Sequence, residues 1–281
     1  MKRYFALGFL ILIIVSGIVI NIGHKPKPVN KITYNGSYIA LGDSVSAGDG
    51  LTDYSDSSAC NRSNQSYPYL VSKAQNLQLF NLSCSGATFS EGINGPQTVN
   101  QLTISSQLNQ LSSLKKPKLI TITAGANDIG WIKFITNCYV KSCGSREETI
   151  LASSKIASLA NSLTNTLKKI SNQYSNSPPQ VIVTSYYNPF PNTLTSCSDL
   201  TNLNQTSLNW LSSETTNLNS ELASISTGYS FVKFQGLDFS GHGLCSSDPW
   251  VQGLTDSAPF HPNSAGQSHI ASQVDMTYSK K

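Results

Sequence analysis

Four short motifs in this sequence carry groups that could work together in acyl transfer. Ser44 lies in Gly-Asp-Ser, Gly86 in Cys-Ser-Gly, Asn127 in Gly-Ala-Asn-Asp and His261 in Phe-His-Pro-Asn. A serine hydroxyl is a weak nucleophile at neutral pH and needs an adjacent base, a role that histidine can fill. Backbone N–H groups and a side-chain amide can stabilise a negatively charged oxygen. The four motifs therefore supply a nucleophile, a base and oxyanion donors.

The first three motifs each follow a segment that is expected to be a β-strand. Apolar and β-branched runs predict five strands, at about 37–42, 79–82, 118–124, 181–185 and 229–234. Helical spacing of apolar residues predicts five helices, at about 67–77, 101–114, 147–174, 199–225 and 263–278. This alternation predicts an α/β fold of three layers, with a roughly five-stranded parallel sheet covered by helices on both faces. Ligands in such folds bind at the carboxyl ends of the strands, where the motifs are expected to meet.

Composition favours one globular domain that does not bind nucleic acid. The chain has 281 residues, of which 39% are hydrophobic and 12% charged, enough to bury a sizeable core. The net charge of +4 is spread along the sequence, without the basic run that nucleic-acid binding favours. No composition break or internal repeat calls for a second domain, and we expect a monomer.

The N-terminus has the pattern of an export segment. Lys2 and Arg3 precede an almost unbroken apolar run over residues 4–22, which at about 1.5 Å per residue nearly spans the hydrocarbon core of a bilayer. We therefore expect residues 1–22 to be a signal peptide or an N-terminal membrane anchor, with residues 4–22 as a possible membrane tether. Residues 23–36 are expected to be a linker, and residues 37–281 the folded domain.

The cysteines also favour an extracellular protein. All six follow the apolar run, and an even number in an exported chain predicts three disulfides among 15 possible connectivities. No Cys-x-x-Cys pair occurs and the four histidines are scattered, so no metal is expected. His24, His242 and His269 are expected to be structural.

The order of the four motifs resembles the SGNH (GDSL) hydrolase superfamily, over nearly the whole expected domain. In addition, CNRSNQSYPYL, CSGAT, GHGLC and FHPNSAGQ resemble its secreted, disulfide-containing branch, which includes actinobacterial extracellular esterases and lipases. The resemblance implies a flavodoxin-like fold, with Ser44 as nucleophile and His261 as base. It also implies an oxyanion hole formed by the backbone N–H groups of Ser44 and Gly86 and the side-chain amide of Asn127, with no metal or cofactor.

One position departs from the common pattern of this superfamily. Many members carry a carboxylate three residues before the histidine, where this chain has Ala258. The branch that the chain resembles orients its histidine through a backbone carbonyl, which here would belong to Ala258 or Pro259. Asp256 is the alternative partner for His261. The resemblance further implies three disulfides, Cys60–Cys84, Cys138–Cys143 and Cys197–Cys245.

Three further residues lie close to the motifs. Asp128 is expected to bind nearby backbone, whereas Trp131 and Phe89 could line an acyl pocket or pack in the core. The sequence and the resemblance together predict an extracellular serine esterase or lipase that acts on carboxylic esters. The alternatives are an O-acetyl esterase acting on polysaccharide or cell wall, and a surface binding module without catalysis. Residues 51–65 and 132–146 are expected to be loops that determine substrate choice.

Overall fold

The computed structural model of the chain describes residues 33–55, 59–175 and 177–280. The expected signal peptide or anchor at 1–22, and the linker as far as residue 32, lie outside the described residues. Apart from Thr33, these residues belong to one compact unit that begins at Tyr34. No helix in the described ranges combines the length and the apolar character needed to span a membrane.

The centre of the fold is a five-stranded parallel sheet. The described residues contain seven strands: β1 (Ser37–Gly42), β2 (Gln78–Asn81), β3 (Gln97–Val99), β4 (Leu102–Ile104), β5 (Leu119–Thr123), β6 (Gln180–Thr184) and β7 (Val232–Gln235). Strand order in the main sheet is β2-β1-β5-β6-β7, with every neighbouring pair parallel. Strands β1 and β5 are adjacent in the interior of the sheet, so the Gly-Asp-Ser and Gly-Ala-Asn-Asp motifs leave it side by side.

Helices cover both faces of this sheet. Their bounds are α1 (Ser44–Ala47), α2 (Tyr67–Ala74), α3 (Gln107–Leu111), α4 (Ala126–Ile129), α5 (Trp131–Val140), α6 (Arg146–Gln173), α7 (Gln205–Thr227) and α8 (Ser264–Ser279). Helix α2 packs against α8 in one layer, and α6 packs against α7 in the other. Because both faces are covered, Ile39, Leu41, Ile120 and Ile122 are fully buried, as is typical of apolar parallel strands. The predicted three-layer α/β fold with five parallel strands is confirmed.

The helix predicted over 101–114 is wrong in its first half. Strands β3 and β4 form an antiparallel hairpin there, in which Gln97 pairs with Ile104. Asn100 and Gln101 adopt left-handed φ values of 49° and 67° at the turn, which excludes a continuous helix. Helix α3 begins only at Gln107, after the side chain of Ser106 accepts the backbone N–H of Asn109.

The loop predicted over 132–146 is wrong over residues 132–140, which belong to α5, and right over residues 141–145. Phe134, Ile135 and Cys138 bury one side of this helix, and the ring of Phe134 meets Trp210 edge-on at 5.4 Å. The Cys138–Cys143 disulfide closes the turn that follows. The other cysteines pair as Cys60–Cys84 and Cys197–Cys245, so all three bridges have the connectivity that the resemblance implies.

Helix α7 begins later than predicted, at residue 205 instead of 199. The reason is local: the side chain of Asn204 caps it by accepting the backbone N–H of Ser207. A short 3-10 turn, Ser198–Leu200, precedes this cap.

Candidate active site

Ser44 lies at the point where β1 turns sharply into α1. Gly42 has φ +143°, and a Cβ atom at this position would approach the carbonyl oxygen of Thr123 to 2.3 Å, so only glycine fits. The Asp43 carboxylate then caps α1 by accepting the backbone N–H of Val45 at 3.0 Å. Ser44 is consequently the first residue of a helix at the carboxyl end of a central strand.

His261 lies directly against this serine. Its Nε2 atom is 2.7 Å from Ser44 Oγ, and its Nδ1 atom is 3.1 Å from the carbonyl oxygen of Pro259. When Nδ1 carries the ring proton and donates a hydrogen bond to the Pro259 carbonyl, Nε2 is unprotonated and can accept a hydrogen bond from the serine hydroxyl. The geometry therefore suits a serine activated by a neighbouring imidazole.

The other two candidates for orienting His261 make different contacts. The Ala258 carbonyl accepts the backbone N–H of His261 at 3.2 Å, not the ring. The Asp256 side chain is solvent-exposed and accepts the backbone N–H of Gly253 at 2.7 Å. Of the three candidates, Pro259 alone has its oxygen against the imidazole.

A strained residue shapes the turn that carries this ring. Phe260 has a left-handed φ of +69°, which is uncommon for a bulky side chain. Its carbonyl accepts the hydroxyl of Tyr187 at 2.9 Å, and its N–H donates to the carbonyl of Gln252 at 2.9 Å. These two hydrogen bonds stabilise the turn at Phe260, which brings the His261 ring against the carbonyl oxygen of Pro259.

The three expected oxyanion donors occupy neighbouring segments. The Asn127 amide uses one N–H on the carbonyl of Ala87 at 3.0 Å, which leaves its second N–H for another acceptor. Gly86, one residue before Ala87, is exposed with φ +78°. Within the described residues, the backbone N–H groups of Ser44 and Gly86 have no hydrogen-bond acceptor. Each of the three residues thus has one N–H group without an acceptor among the described residues.

Ser44, Asn127 and His261 line one pocket of about 80 Å³, whereas Gly86 lies outside its lining. The walls of the pocket are mostly apolar and come from α5 and two loops. They include Trp131, Ile132, Ile135, Tyr187, Pro189, Pro259 and Phe260. This apolar lining suits an acyl group next to the serine.

Of the two aromatic candidates, Trp131 lines this pocket and Phe89 does not. Phe89 is fully buried in the core, and its backbone N–H donates to both oxygens of the Asp128 carboxylate at 3.0 and 3.2 Å. Asp128 therefore binds backbone, as predicted. Burial raises the pKa of its carboxyl to about 6.

A second buried carboxyl adjoins the nucleophile. Asp43 is 1% exposed, and its Oδ2 accepts the hydroxyl of Tyr186 at 2.5 Å. Burial raises the pKa of Asp43 to about 7, although the hydrogen bonds from Tyr186 and Val45 act in the opposite direction. The carboxyl therefore ionises near neutral pH.

Buried glutamines, which the sequence analysis missed, hold the backbone on both sides of Ser44. The Gln107 amide binds Gly42 twice, accepting its N–H at 2.8 Å and donating to its carbonyl at 2.9 Å. The Gln267 amide donates to the carbonyl of Val45 at 3.0 Å and accepts the N–H of Tyr67 at 2.8 Å. The nucleophile turn is thus fixed by side chains from α3 and α8.

A third buried glutamine, Gln252, connects this turn to the segment that carries the histidine. Its amide donates to the carbonyls of Asp49 at 3.0 Å and Pro262 at 3.3 Å, and accepts the N–H of Ala258 at 3.2 Å. A Cβ atom on Gly50 would lie 2.4 Å from the Gln252 oxygen, which explains the glycine there. No spacing pattern marks these glutamines, because their partners come from distant segments.

The remaining described histidines pack around Trp250. The His242 ring stacks on it at 3.6 Å, and the His269 ring lies 4.3 Å away. His242 Nδ1 also contacts the carbonyl oxygen of Asp248 at 2.8 Å. Burial lowers the pKa of His269. Neither ring lines the pocket that contains Ser44, and His24 lies outside the described residues. Within the described ranges, no group of three His, Cys, Asp or Glu side chains could hold a metal.

Fold and site together define a class of enzyme. The sheet is parallel and has helices on both faces. At the carboxyl ends of its strands, a serine lies within hydrogen-bond distance of an imidazole and beside an apolar pocket. This is the arrangement of a carboxylic ester hydrolase. The model of the GDSL-like Lipase/Acylhydrolase family matches residues 40–269, and the chain belongs to this family. The predicted membership is confirmed.

Individual relatives agree with this assignment. The chain is 32% identical over 281 residues to Lipase 1 of Streptomyces coelicolor, covering 95% of this chain and 96% of that protein. It resembles the crystal structure of an extracellular lipase from Streptomyces rimosus, with a TM-score of 0.64, 27% identity and coverage of 87% and 99%. For the phospholipase A1 from Streptomyces albidoflavus NA297, the TM-score is 0.63, with 26% identity and coverage of 85% and 99%.

Proposed function

We propose that this protein is an extracellular serine esterase or lipase that cleaves carboxylic esters through a Ser44–His261 dyad. The observation that carries the proposal is the 2.7 Å approach of His261 Nε2 to Ser44 Oγ, while Nδ1 faces the carbonyl of Pro259. A base within hydrogen-bond reach of a serine, and itself oriented by a third group, is the general arrangement of an activated nucleophile.

In the first half of the reaction, Ser44 Oγ attacks the ester carbonyl carbon while His261 Nε2 takes the hydroxyl proton. The resulting oxyanion would accept hydrogen bonds from the N–H groups of Ser44 and Gly86 and from the second amide N–H of Asn127. The C–O bond to the alcohol then breaks, and His261 returns its proton to the leaving oxygen. An acyl group remains on Ser44.

In the second half, water replaces the alcohol. The water oxygen attacks the acyl carbon while His261 takes a proton from the water molecule. His261 then gives this proton to Ser44 Oγ, and the carboxylic acid leaves. The Pro259 carbonyl keeps Nδ1 protonated, so that Nε2 remains the basic nitrogen in each step. A carbonyl dipole stabilises the imidazolium less than a full carboxylate charge would.

The same proposal places the domain outside the cell. Three disulfides and an apolar run over residues 4–22 support export, with residues 1–22 as signal peptide or anchor, 23–36 as linker and 37–281 as the enzyme. The related lipase from Streptomyces rimosus is itself described as extracellular. Residues 4–22 would tether the enzyme only in the case that they stay as an anchor; a monomeric state completes the proposal, which requires no metal or cofactor.

The apolar pocket supports acyl esters as substrates. Hydrolysis of p-nitrophenyl esters of increasing chain length should proceed and should favour acyl groups longer than acetyl. Ser44→Ala should lower kcat by at least roughly 10⁴-fold, whereas Ser113→Ala, an exposed serine, should leave it unchanged. Activity confined to acetylated xylan or peptidoglycan would indicate the O-acetyl esterase. Absence of both hydrolysis and fluorophosphonate labelling at Ser44 would indicate a binding module.

A further inference from the structure

Helix α5 exposes an apolar stripe to solvent. Ile132, Thr136 and Val140 lie at positions i, i+4 and i+8, on one face of the helix. Ile132 is 57% exposed and Val140 is 80% exposed, although both are branched aliphatic residues. The Thr136 hydroxyl donates to the carbonyl of Ile132 at 2.8 Å, so its hydrogen bond is made within the helix. The hydroxyl proton of Thr136 therefore has its partner within the stripe.

This stripe begins at the edge of the active-site pocket. Ile132 lines the pocket together with Trp131, its neighbour in the chain. From there to Val140 the helix rises about 12 Å, at 1.5 Å per residue. The opposite side of α5 is held by Phe134, which packs against Trp210, and by the Cys138–Cys143 disulfide. The exposed face thus belongs to a well-anchored helix.

Positive charge accompanies the apolar groups. Residues 131–145 contain two lysines and no acidic residue. Lys133 and Lys141 are both exposed, and neither forms an ion pair with any residue that the structure describes. Exposed aliphatic groups favour contact with a lipid surface, and each nearby lysine adds attraction to anionic head groups.

We infer that the exposed face of α5 docks onto a lipid–water interface with anionic head groups, which delivers ester substrate to the adjacent pocket. This inference rests on the proposed function, because it assigns the source of the ester that Ser44 attacks. Stable protein interfaces bury about 800 Å² on each partner, far more than a single stripe of three side chains can supply. Binding to a lipid surface instead increases with the apolar area that enters it and with the attraction of nearby lysines to anionic head groups, and it has no comparable minimum area.

The test compares one ester in two forms, using the full-length chain. A p-nitrophenyl ester is supplied either as a soluble monomer or within phosphatidylglycerol vesicles. Val140→Asp, and the uncharged Val140→Asn, should lower the rate on vesicles about tenfold and leave the rate on soluble ester unchanged. Met276→Asp on α8 is the control, because Met276 is also a partly exposed apolar residue (45%) on a helix surface. Equal rates of the Val140 and Met276 variants on vesicles would overturn the inference.

Charge reversal tests the head-group preference. Lys133→Glu and Lys141→Glu should each weaken binding of the inactive Ser44→Ala protein to phosphatidylglycerol vesicles, measured by sedimentation, by at least roughly fivefold. With phosphatidylcholine vesicles they should have no effect, and Lys115→Glu, an exposed lysine before β5, should have none with either lipid. If the α5 variants bind vesicles as well as the Ser44→Ala protein does, the inference is wrong. Any vesicle binding would then be due to the apolar run over residues 4–22, which all the variants contain.

Two further outcomes distinguish the alternatives. If wild type fails to hydrolyse the soluble ester, the proposed function is wrong, whatever the vesicles show. If sedimentation velocity reveals a dimer that Val140→Asp dissociates, a second copy of the chain covers this face and the lipid surface does not.

Discussion

The side-chain amide of Gln252 donates a hydrogen bond to the backbone carbonyl of Asp49, across 203 positions of sequence. The same amide binds the backbone at Ala258 and Pro262, on both sides of His261. One buried side chain therefore sets the distance between the segment that follows the nucleophile and the segment that carries the base. Gln252 is a positioning residue for the proposed dyad, without contact to the reacting atoms.

Replacing Gln252 by alanine should lower kcat by about 10²-fold with little change in KM, because a displacement near 1 Å between reacting groups has an effect of that size. The lost hydrogen bonds should also reduce the free energy of unfolding by about 1–3 kcal/mol. Steady-state kinetics and urea unfolding measure both. Ile182→Val, a fully buried change in β6, should cost about 1 kcal/mol and leave kcat intact. If both variants lose stability and neither loses kcat, the role of Gln252 is structural only.

Asn127→Ala should reduce kcat by roughly 10²- to 10³-fold, because it removes one donor to the developing oxyanion. KM for a soluble ester should change little, since this hydrogen bond is strongest in the transition state. The bond to the Ala87 carbonyl is lost as well, so unfolding has to be measured in parallel. Asn109→Ala on the surface of α3 is the matched control. A loss of less than threefold in kcat would exclude Asn127 from the oxyanion hole.

Asp256→Ala should change kcat by less than about threefold, because the carboxylate binds the N–H of Gly253 and not the His261 ring. Steady-state kinetics on a soluble ester, with circular dichroism to verify folding, provide the measurement. A drop of several hundredfold in a folded variant would show that a carboxylate assists His261 and that the site is a triad.

Asp43→Asn should remove part of the pH dependence of stability. The carboxyl has a pKa of about 7 in the folded protein against 3.8 ordinarily, so between these values the folded state binds more protons than the unfolded state. Wild-type stability should therefore fall as pH rises from about 4 to 7, by up to roughly 4 kcal/mol at about 1.4 kcal/mol per pKa unit. The asparagine variant should lack this contribution because its side chain does not titrate, and it should still fold because its amide oxygen can accept the N–H of Val45.

Urea unfolding at pH 4.5, 6 and 7.5 measures this difference. Asp128→Asn provides the comparison. The pKa of Asp128 is raised only to about 6, so its contribution to the fall in stability should be complete near pH 6, whereas that of Asp43 should continue to about pH 7. Parallel stability curves for wild type and Asp43→Asn would contradict the prediction.

The sheet could be predicted from sequence because its strands are short apolar runs covered on both faces, such as β5. Errors arose where one residue's conformation decides the path of the chain. The left-handed Asn100 and Gln101 convert an apparently helical spacing into a hairpin. Helix α5 was missed because its sequence contains several β-branched residues, and tertiary packing of Phe134 and Cys138 overrides this weak preference.

The candidate site, like the fold, was predicted in part from the sequence. The motifs and their order indicated Ser44 and His261, but not which carbonyl would face the ring. That depends on the left-handed turn at Phe260, which in turn depends on the hydroxyl of Tyr187 from another segment. The glutamine contacts likewise exist only in the folded chain, so local sequence contains no signal for them.

The distance in sequence between the two halves of the dyad has a consequence for biosynthesis. Ser44 follows the first strand, whereas His261 precedes α8, the last helix, which packs against α2. A nascent chain would carry the proposed nucleophile for more than two hundred residues before the proposed base is synthesised. In the proposed mechanism, ester cleavage can therefore begin only after the segment that carries His261 has been synthesised and has folded against the nucleophile, so shorter chains that end before residue 261 should be inactive.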